Sequence, residues 1–215
     1  MFKWLMRLLG FYHEALIIGL VCHRVNYDDI ISIKKLGVKH LRLSLYPNND
    51  GEVSINTALA NGYDLLVVTY RSLSDIIQDK IRWPEVKWQI GNENNLLEPT
   101  DGYISTGVAS GTSQDWINKF SDLMPPNQIL ALHAYGVPLV TAVSETISRK
   151  PKSKRLWLTE IGVKNDARQL QVALENISIK YVERVYIYAL WSDSDGYTLS
   201  DEQRIVISKF ISKHS

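Results

Sequence analysis

Leu156-Trp157-Leu158-Thr159-Glu160-Ile161-Gly162 reads as a short strand with both faces covered, and it carries a carboxylate near its end. A second run of the same kind, Trp88-Gln89-Ile90-Gly91-Asn92-Glu93, also ends on a glutamate. Runs this short and this rich in large apolar residues suit strands buried on both faces. A carboxylate at the exit of such a strand has a rigid support and a partly dehydrated setting. These conditions let one group hold a proton and another hold a negative charge at chosen points.

Similar apolar runs begin near Ala15, His40, Leu65, Trp88, Ile129, Leu156 and Arg184. Segments of helical periodicity lie between them. Ile30, Ile33, Leu36 and Val38 form one after Asn26. Ala58, Leu59 and Tyr63 form another after an expected turn at Ser54-Ile55-Asn56. Ile76 and Ile77, then Leu139, Val143 and Ile147, then Leu170, Val172, Ala173 and Ile177 continue the habit. The last helix is expected from Ser200, an N-cap with Gln203 at the capping-box position, through Ile205, Ile207 and Ile211. Strands alternating with helices every ~25 residues imply parallel βα units with right-handed crossovers.

Such units build either an open doubly wound sheet or a closed barrel. Cys22-His23-Arg24-Val25-Asn26 lacks the glycines that a dinucleotide site needs after a first strand, which disfavours the open sheet. An eighth strand, fifth in order, is expected over Tyr103–Ser110, followed by a helix from Ser113 through Trp116, Ile117 and Phe120. Asn94–Gly102 is polar and contains Pro99, so the fourth helix is expected to be degenerate. The reading is one α/β domain over residues 1–215: a compact (β/α)8 TIM barrel with short loops, near the lower size limit of that fold.

The chain has 215 residues, 45% of them hydrophobic, and a formal net charge of +1. No basic stripe tracks a phosphate backbone, so no nucleic-acid partner is expected. A single cysteine, Cys22, excludes an internal disulfide and any cysteine-based zinc site, and suits a small buried strand residue. Lys3 and Arg7 before Ala15–Cys22 loosely mimic a secretory signal. His13 and Glu14 interrupt it, no small-residue cleavage pattern follows, and the stretch is too short to span a bilayer. No targeting or membrane segment is expected. The expectation is a monomer made in the cytoplasm, released by lysis or as part of a larger particle.

In a barrel, residues at the C-terminal strand ends reach the active face. Those ends supply His23, Arg42, Ser44, Asn92, Glu93, His133, Tyr135, Glu160 and Trp191. Asn-Glu ending the fourth strand, His-Ala-Tyr-Gly the sixth, Thr-Glu-Ile-Gly on the seventh and a tryptophan ending the eighth resemble the clan A retaining glycoside hydrolases. Leu41-Arg42-Leu43-Ser44 matches their second strand. The likeness spans about residues 15–210, but Asn94-Asn95 stands where a proline often follows Asn-Glu.

The resemblance implies a barrel glycosidase with Glu160 as nucleophile and Glu93 as acid, then base. Retaining hydrolysis wants these carboxyls ~5 Å apart. Arg42 and the Tyr135 hydroxyl are expected to keep Glu160 ionised, and the Asn92 amide to meet the sugar 2-hydroxyl. Trp191 is expected to form a floor under the ring, with His133 and His23 as further sugar contacts or structural histidines. The partner is a poly- or oligosaccharide, and neither metal nor organic cofactor is expected. A metal-dependent barrel hydrolase would want paired histidines early in the chain, where only His23 stands. Asp193 and Asp195 lack the glutamate that closes a calcium loop. The alternative is a catalytically silent carbohydrate-binding barrel.

Overall fold

The apolar runs do form strands, and a helix follows each one. The computed structural model describes residues 16–92, 107–125, 128–152, 154–191 and 197–214. Among these, the strands are β1 (Ile17–Val21), β2 (His40–Leu45), β3 (Asp64–Thr69), β4 (Lys87–Ile90), β5 (Leu130–Tyr135), β6 (Leu156–Gly162) and β7 (Arg184–Ile187). The helices are α1 (Tyr27–Leu36), α2 (Glu52–Ala60), α3 (Leu73–Arg82), α4 (Gln114–Leu123), α5 (Leu139–Ser148), α6 (Ala167–Asn176) and α7 (Asp201–His214).

Local chemistry marks the helix starts. The Asn26 side chain accepts from the Asp29 amide while Asp29 accepts from the Asn26 amide, a closed capping box at α1. Ser72, Ser113 and Asp166 cap α3, α4 and α6 one way, their side chains accepting from the amides of Asp75, Trp116 and Gln169. At α7 the Ser200 hydroxyl and Gln203 side chain exchange bonds with each other's amides, as the spacing predicts. Each such cap adds about 1 kcal/mol. The turn expected at Ser54–Asn56 is not formed. α2 already begins at Glu52, after Gly51 reverses the chain at φ 110°, so those residues lie within the helix.

The strands form one parallel, curled sheet in the order β4-β3-β2-β1-β7-β6-β5. Leu41, Leu43, Leu45, Leu65, Val67, Leu156 and Leu158 join the main core with helix residues such as Ile30, Ile55, Leu139 and Leu170. Val21, Leu66, Ile129, Ala131, Trp157 and Tyr186 form a second, smaller cluster on the concave side. Two apolar layers on opposite faces explain why the strand sequences are nearly continuous in apolar residues. Beneath the small cluster, Asp64 is held by Lys87, by Arg184 at 2.9 Å and by His40 at 3.1 Å. Burial would raise the Asp64 pKa, but hydrogen bonds from these three partners and the Arg184 charge hold it well below the usual range.

The expected eighth strand needs correction. Among the described residues only Gly107 and Val108 pair, as isolated parallel bridges to Asn92 and Leu132. The Val108 amide donates to Ala131 O at 3.0 Å, and Val108 O accepts from His133 N at 2.9 Å. Glycine at 107, and the turn at Ser110-Gly111 with Gly111 at φ 82°, leave no row of side chains to extend the pairing. Tyr103–Thr106 lie outside the described residues, as does the Asn94–Gly102 stretch where a degenerate helix was expected. The described fold is therefore a seven-stranded curled sheet whose edge strands meet through a two-residue seam. Among the described residues a complete eight-stranded ring is not seen. Among the described residues no helix is long and apolar enough to cross a membrane.

Candidate active site

A bulge aims Glu160. Along β5 and β6, Leu132 pairs with Leu158, but His133 pairs with Glu160, so Thr159 is one residue too many. Strict alternation from Trp157, which packs in the concave cluster, would put Thr159 inward and Glu160 among the helix-facing residues. The extra residue shifts the phase and turns Glu160 to the concave side. Bulges re-aim side chains in this way beside functional sites.

There the carboxylate is 6% exposed and meets four side chains from three other strands or strand ends. Arg42 Nη1 donates to Oε1 at 2.7 Å, and Asn92 Nδ2 approaches the same oxygen at 3.4 Å. The Tyr135 hydroxyl donates to Oε2 at 2.6 Å, and His133 Nδ1 lies 3.6 Å from it. Two carboxylate oxygens offer about four acceptor sites, and Arg42, Asn92 and Tyr135 take three of them, which leaves about one for a reacting atom. Desolvation would raise the Glu160 pKa. The His133 and Arg42 charges and the bonds from Tyr135 and Arg42 outweigh it and bring the pKa down to about 2. Tyr135 moves the other way: burial, then the Glu160 charge, push its hydroxyl far above the ordinary range, so it stays a donor.

This carries a prediction. The folded pKa of Glu160 lies below its ordinary value of 4.5, so the carboxylate stabilises the fold above about pH 4.5. That contribution fades as the pH falls from there toward about 2. Acid unfolding followed by circular dichroism should show a shallower loss across this window in Glu160→Gln than in the parent protein. Equal slopes would show that the clamp does not depress the carboxyl.

Two residues that the sequence reading passed over complete the network. Gln89, fully buried, donates from Nε2 to Gly91 O at 3.0 Å and to Asn92 Oδ1 at 3.1 Å. Arg42 Nη2 donates to that same Asn92 oxygen at 2.7 Å. With two donors on its oxygen, the Asn92 amide must turn its NH₂ toward Glu160. Gly107 is the second. A Cβ there would stand 2.5 Å from His133 Nε2, 2.6 Å from Asn92 Oδ1 and 2.9 Å from Gln89 Nε2, so only glycine fits. The two-residue alternation running from Lys87 to Gln89 would have flagged the glutamine.

The structure brings Arg42, Asn92, His133, Tyr135 and Glu160 together. Glu93 lies outside the described residues, one peptide beyond Asn92. His133 is buried beneath the carboxylate at 1% exposure, a place that suits a structural contact more than a sugar contact. His23 stands further out, its Nε2 3.2 Å from the Tyr188 hydroxyl. Trp191 does not join the group. Its indole N–H donates to Asp29 at 2.6 Å, and the Arg204 guanidinium lies 4.7 Å over its ring. The reason is phase and length: β7 ends at Ile187, and the concave row Arg184, Tyr186 continues to Tyr188, not to Trp191. Tyr188 packs edge-on against Tyr135 at 5.9 Å, and Tyr197 packs edge-on against both.

No protein-family model matches the chain, and no curated protein matches it. Among solved structures it is similar to xylanase B from Clostridium stercorarium, with a TM-score of 0.50 and 11% identity, covering 90% of this chain and 96% of that one. It is also similar to the ligand-free form of tryptophan synthase from M. tuberculosis, with a TM-score of 0.47 and 10% identity over 99% of this chain and 96% of that one. At such identities the likeness concerns fold alone: a TIM-barrel-like α/β architecture built on a parallel, curled seven-stranded sheet.

Proposed function

We propose that this protein is a retaining glycoside hydrolase that cuts O-glycosidic bonds of a poly- or oligosaccharide. The observation that supports this most is the state of Glu160. It is a buried carboxylate kept ionised by Arg42 and Tyr135, at the C-terminal end of a parallel strand, where barrel-type folds place their chemistry. A nucleophile must be charged yet poorly solvated, and this one is both. The similarity to a xylanase adds compatibility of fold, not of substrate.

In the first step a Glu160 oxygen attacks the anomeric carbon as the bond to the leaving oxygen breaks. Glu93 gives that oxygen its proton. In the second, Glu93 takes a proton from water, the water oxygen bonds to the anomeric carbon, and Glu160 leaves as carboxylate. The negative charge of Glu160 disfavours ionisation of a nearby Glu93, which keeps the acid protonated. Esterification removes that charge, so Glu93 becomes more acidic when it must serve as base. The Asn92 NH₂, turned toward Glu160 by Gln89 and Arg42, then donates to the sugar 2-hydroxyl. Tyr188 and Tyr197, which pack edge-on against Tyr135, take the place of Trp191 as the aromatic surface beside the Tyr135–Glu160 bond.

The test is a panel of polysaccharides and aryl glycosides assayed for reducing-end release, with the anomer of the first product read by proton NMR. Release with retained configuration is the expected result. Inverted product would rule out Glu160 as nucleophile. Calorimetric binding of an oligosaccharide without product would favour the silent binding barrel.

A further inference from the structure

We infer that the stacked pair Tyr46 and Tyr70 is a second sugar-binding surface, which holds a distant unit of the same glycan that Glu160 cleaves. The ligand is then an extended chain laid toward the β2–β3 side of the site. This rests on the hydrolase reading above and adds the direction and minimum extent of the substrate.

Strand phase places the pair. Along β2, Arg42 points to the concave side, while Leu41, Leu43 and Leu45 belong to the helix-facing core. Alternation carries the concave row from Arg42 through Ser44 to Tyr46, just past the strand end. Along β3, Leu66 lies in the concave cluster, and the same row runs through Val68 to Tyr70. Register pairs Leu45 with Thr69, so Tyr46 and Tyr70 are the next cross-strand neighbours. The Tyr70 amide donates to Leu45 O at 3.1 Å and extends the ladder to them. Their rings lie 5.3 Å apart and 7° from parallel. The two tyrosines thus continue the very rows that lead to Arg42 and Glu160.

The surface is rigid. The Tyr46 amide donates to Asp50 O at 3.0 Å, the Asn49 amide to Tyr46 O at 3.1 Å, and Asn49 turns the chain at φ 64°. Asp50 is itself ion-paired with Arg24 from the end of β1. A shelf formed in advance costs little to order on binding. Tyr70 is 42% exposed. A flat aromatic face with a polar tip suits a sugar ring, which stacks through its C–H edges while its hydroxyls reach outward. The Arg24–Asp50 pair at the rim supplies donors and acceptors for those hydroxyls. Four residues of strand rise put the shelf about 13 Å beyond Arg42 along β2. One sugar ring at Glu160 does not span that distance, so a shared ligand must be a chain.

The experiment uses the full chain and oligosaccharides of graded length from whichever polysaccharide the panel identifies. Wild-type kcat/KM should rise with length until the chain reaches the shelf. In Tyr70→Ala that rise should shrink about tenfold, and Tyr70→Phe, which keeps the ring, should restore it. An unchanged rise in Tyr70→Ala would overturn the inference, as would an equal loss at every length.

Should no glycan be hydrolysed, the catalytic reading fails and the shelf is judged by binding. Glu160→Gln protein is then run through native gels containing xylan, β-glucan or galactomannan. Retardation that disappears on adding Tyr70→Ala upholds the shelf. No retardation in any gel, or retardation that survives Tyr70→Ala, overturns it.

Discussion

Glu160→Gln is expected to lower turnover of any glycoside the protein cleaves by roughly 10⁴-fold or more, the scale seen when a covalent nucleophile or its essential support is removed. The amide is nearly the same size, so the fold should survive; Arg42 keeps Asn92 Oδ1 at 2.7 Å and Gln89 Oε1 at 3.5 Å as acceptors. What disappears is the charge that attacks the anomeric carbon. The amide also brings two N–H donors into a place where Arg42, Asn92 and Tyr135 already donate. The companion change Glu93→Gln should behave differently. Turnover should collapse for substrates whose leaving oxygen needs a proton, and fall far less for aryl glycosides with acidic phenols. The measurement is kcat for both variants across leaving groups of graded acidity. Unchanged turnover in Glu160→Gln, or a Glu93→Gln loss independent of the leaving group, would refute the assigned roles.

The second large effect is on stability. Arg42→Met removes the only arginine or lysine paired with Glu160 among the described residues, and Arg42 is itself 3% exposed. Breaking a buried pair at one partner costs about 3–5 kcal/mol, because the survivor is left charged in a poorly solvated place. For a chain of this size that corresponds to a Tm lower by roughly 10 °C at neutral pH. In the variant the Glu160 pKa moves up, since burial remains while the Arg42 charge and hydrogen bond are gone and only His133 and Tyr135 still oppose it. The variant's carboxyl thus takes up its proton at a higher pH than the parent's. The deficit is therefore full at neutral pH and shrinks as acid protonates the carboxyl. Adding Glu160→Leu to Arg42→Met should recover most of the loss, since neither charge remains to be stranded. Melting curves of the two variants and the parent across pH decide the matter. A Tm unchanged at neutral pH, or a deficit that ignores pH, would show that the pair carries little of the site's energy.

The strand plan was readable because each strand is covered on both faces, which writes it as a compact apolar block. The expected starts at His40 and Leu156 coincide with β2 and β6, and Leu65, Trp88 and Ile129 fall one residue from β3, β4 and β5. The cap at Ser200 was equally plain, since a short polar side chain before an amphipathic stretch has few other uses. The seam was not readable: two bridges by Gly107 and Val108 depend on what the neighbouring edges offer, not on local propensity. Nor was the bulge at Thr159. Counted by twos, Leu156–Gly162 sends Glu160 to the wrong face, and only the register with His133 reveals the added residue. Trp191 drew notice as a tryptophan at the end of the last strand, whereas the alternation Arg184, Tyr186, Tyr188 pointed to the residue that packs against Tyr135. Of the candidate site, Arg42, Asn92, Tyr135 and Glu160 were visible as strand-end residues, while Gln89 and Gly107 were masked by looking only for groups that touch a sugar.

Gly107 ties the thinnest part of this architecture to its most sensitive chemistry. A residue with a side chain would give the meeting of β4 and β5 more to grip, yet its first carbon would press at once on His133, Asn92 and Gln89. Sturdiness at the join and alignment of the amide beside Glu160 compete for the same few cubic ångströms. Selection for a tougher protein at this spot would thus work against a faster one, and the lone hydrogen of glycine is where the two demands meet.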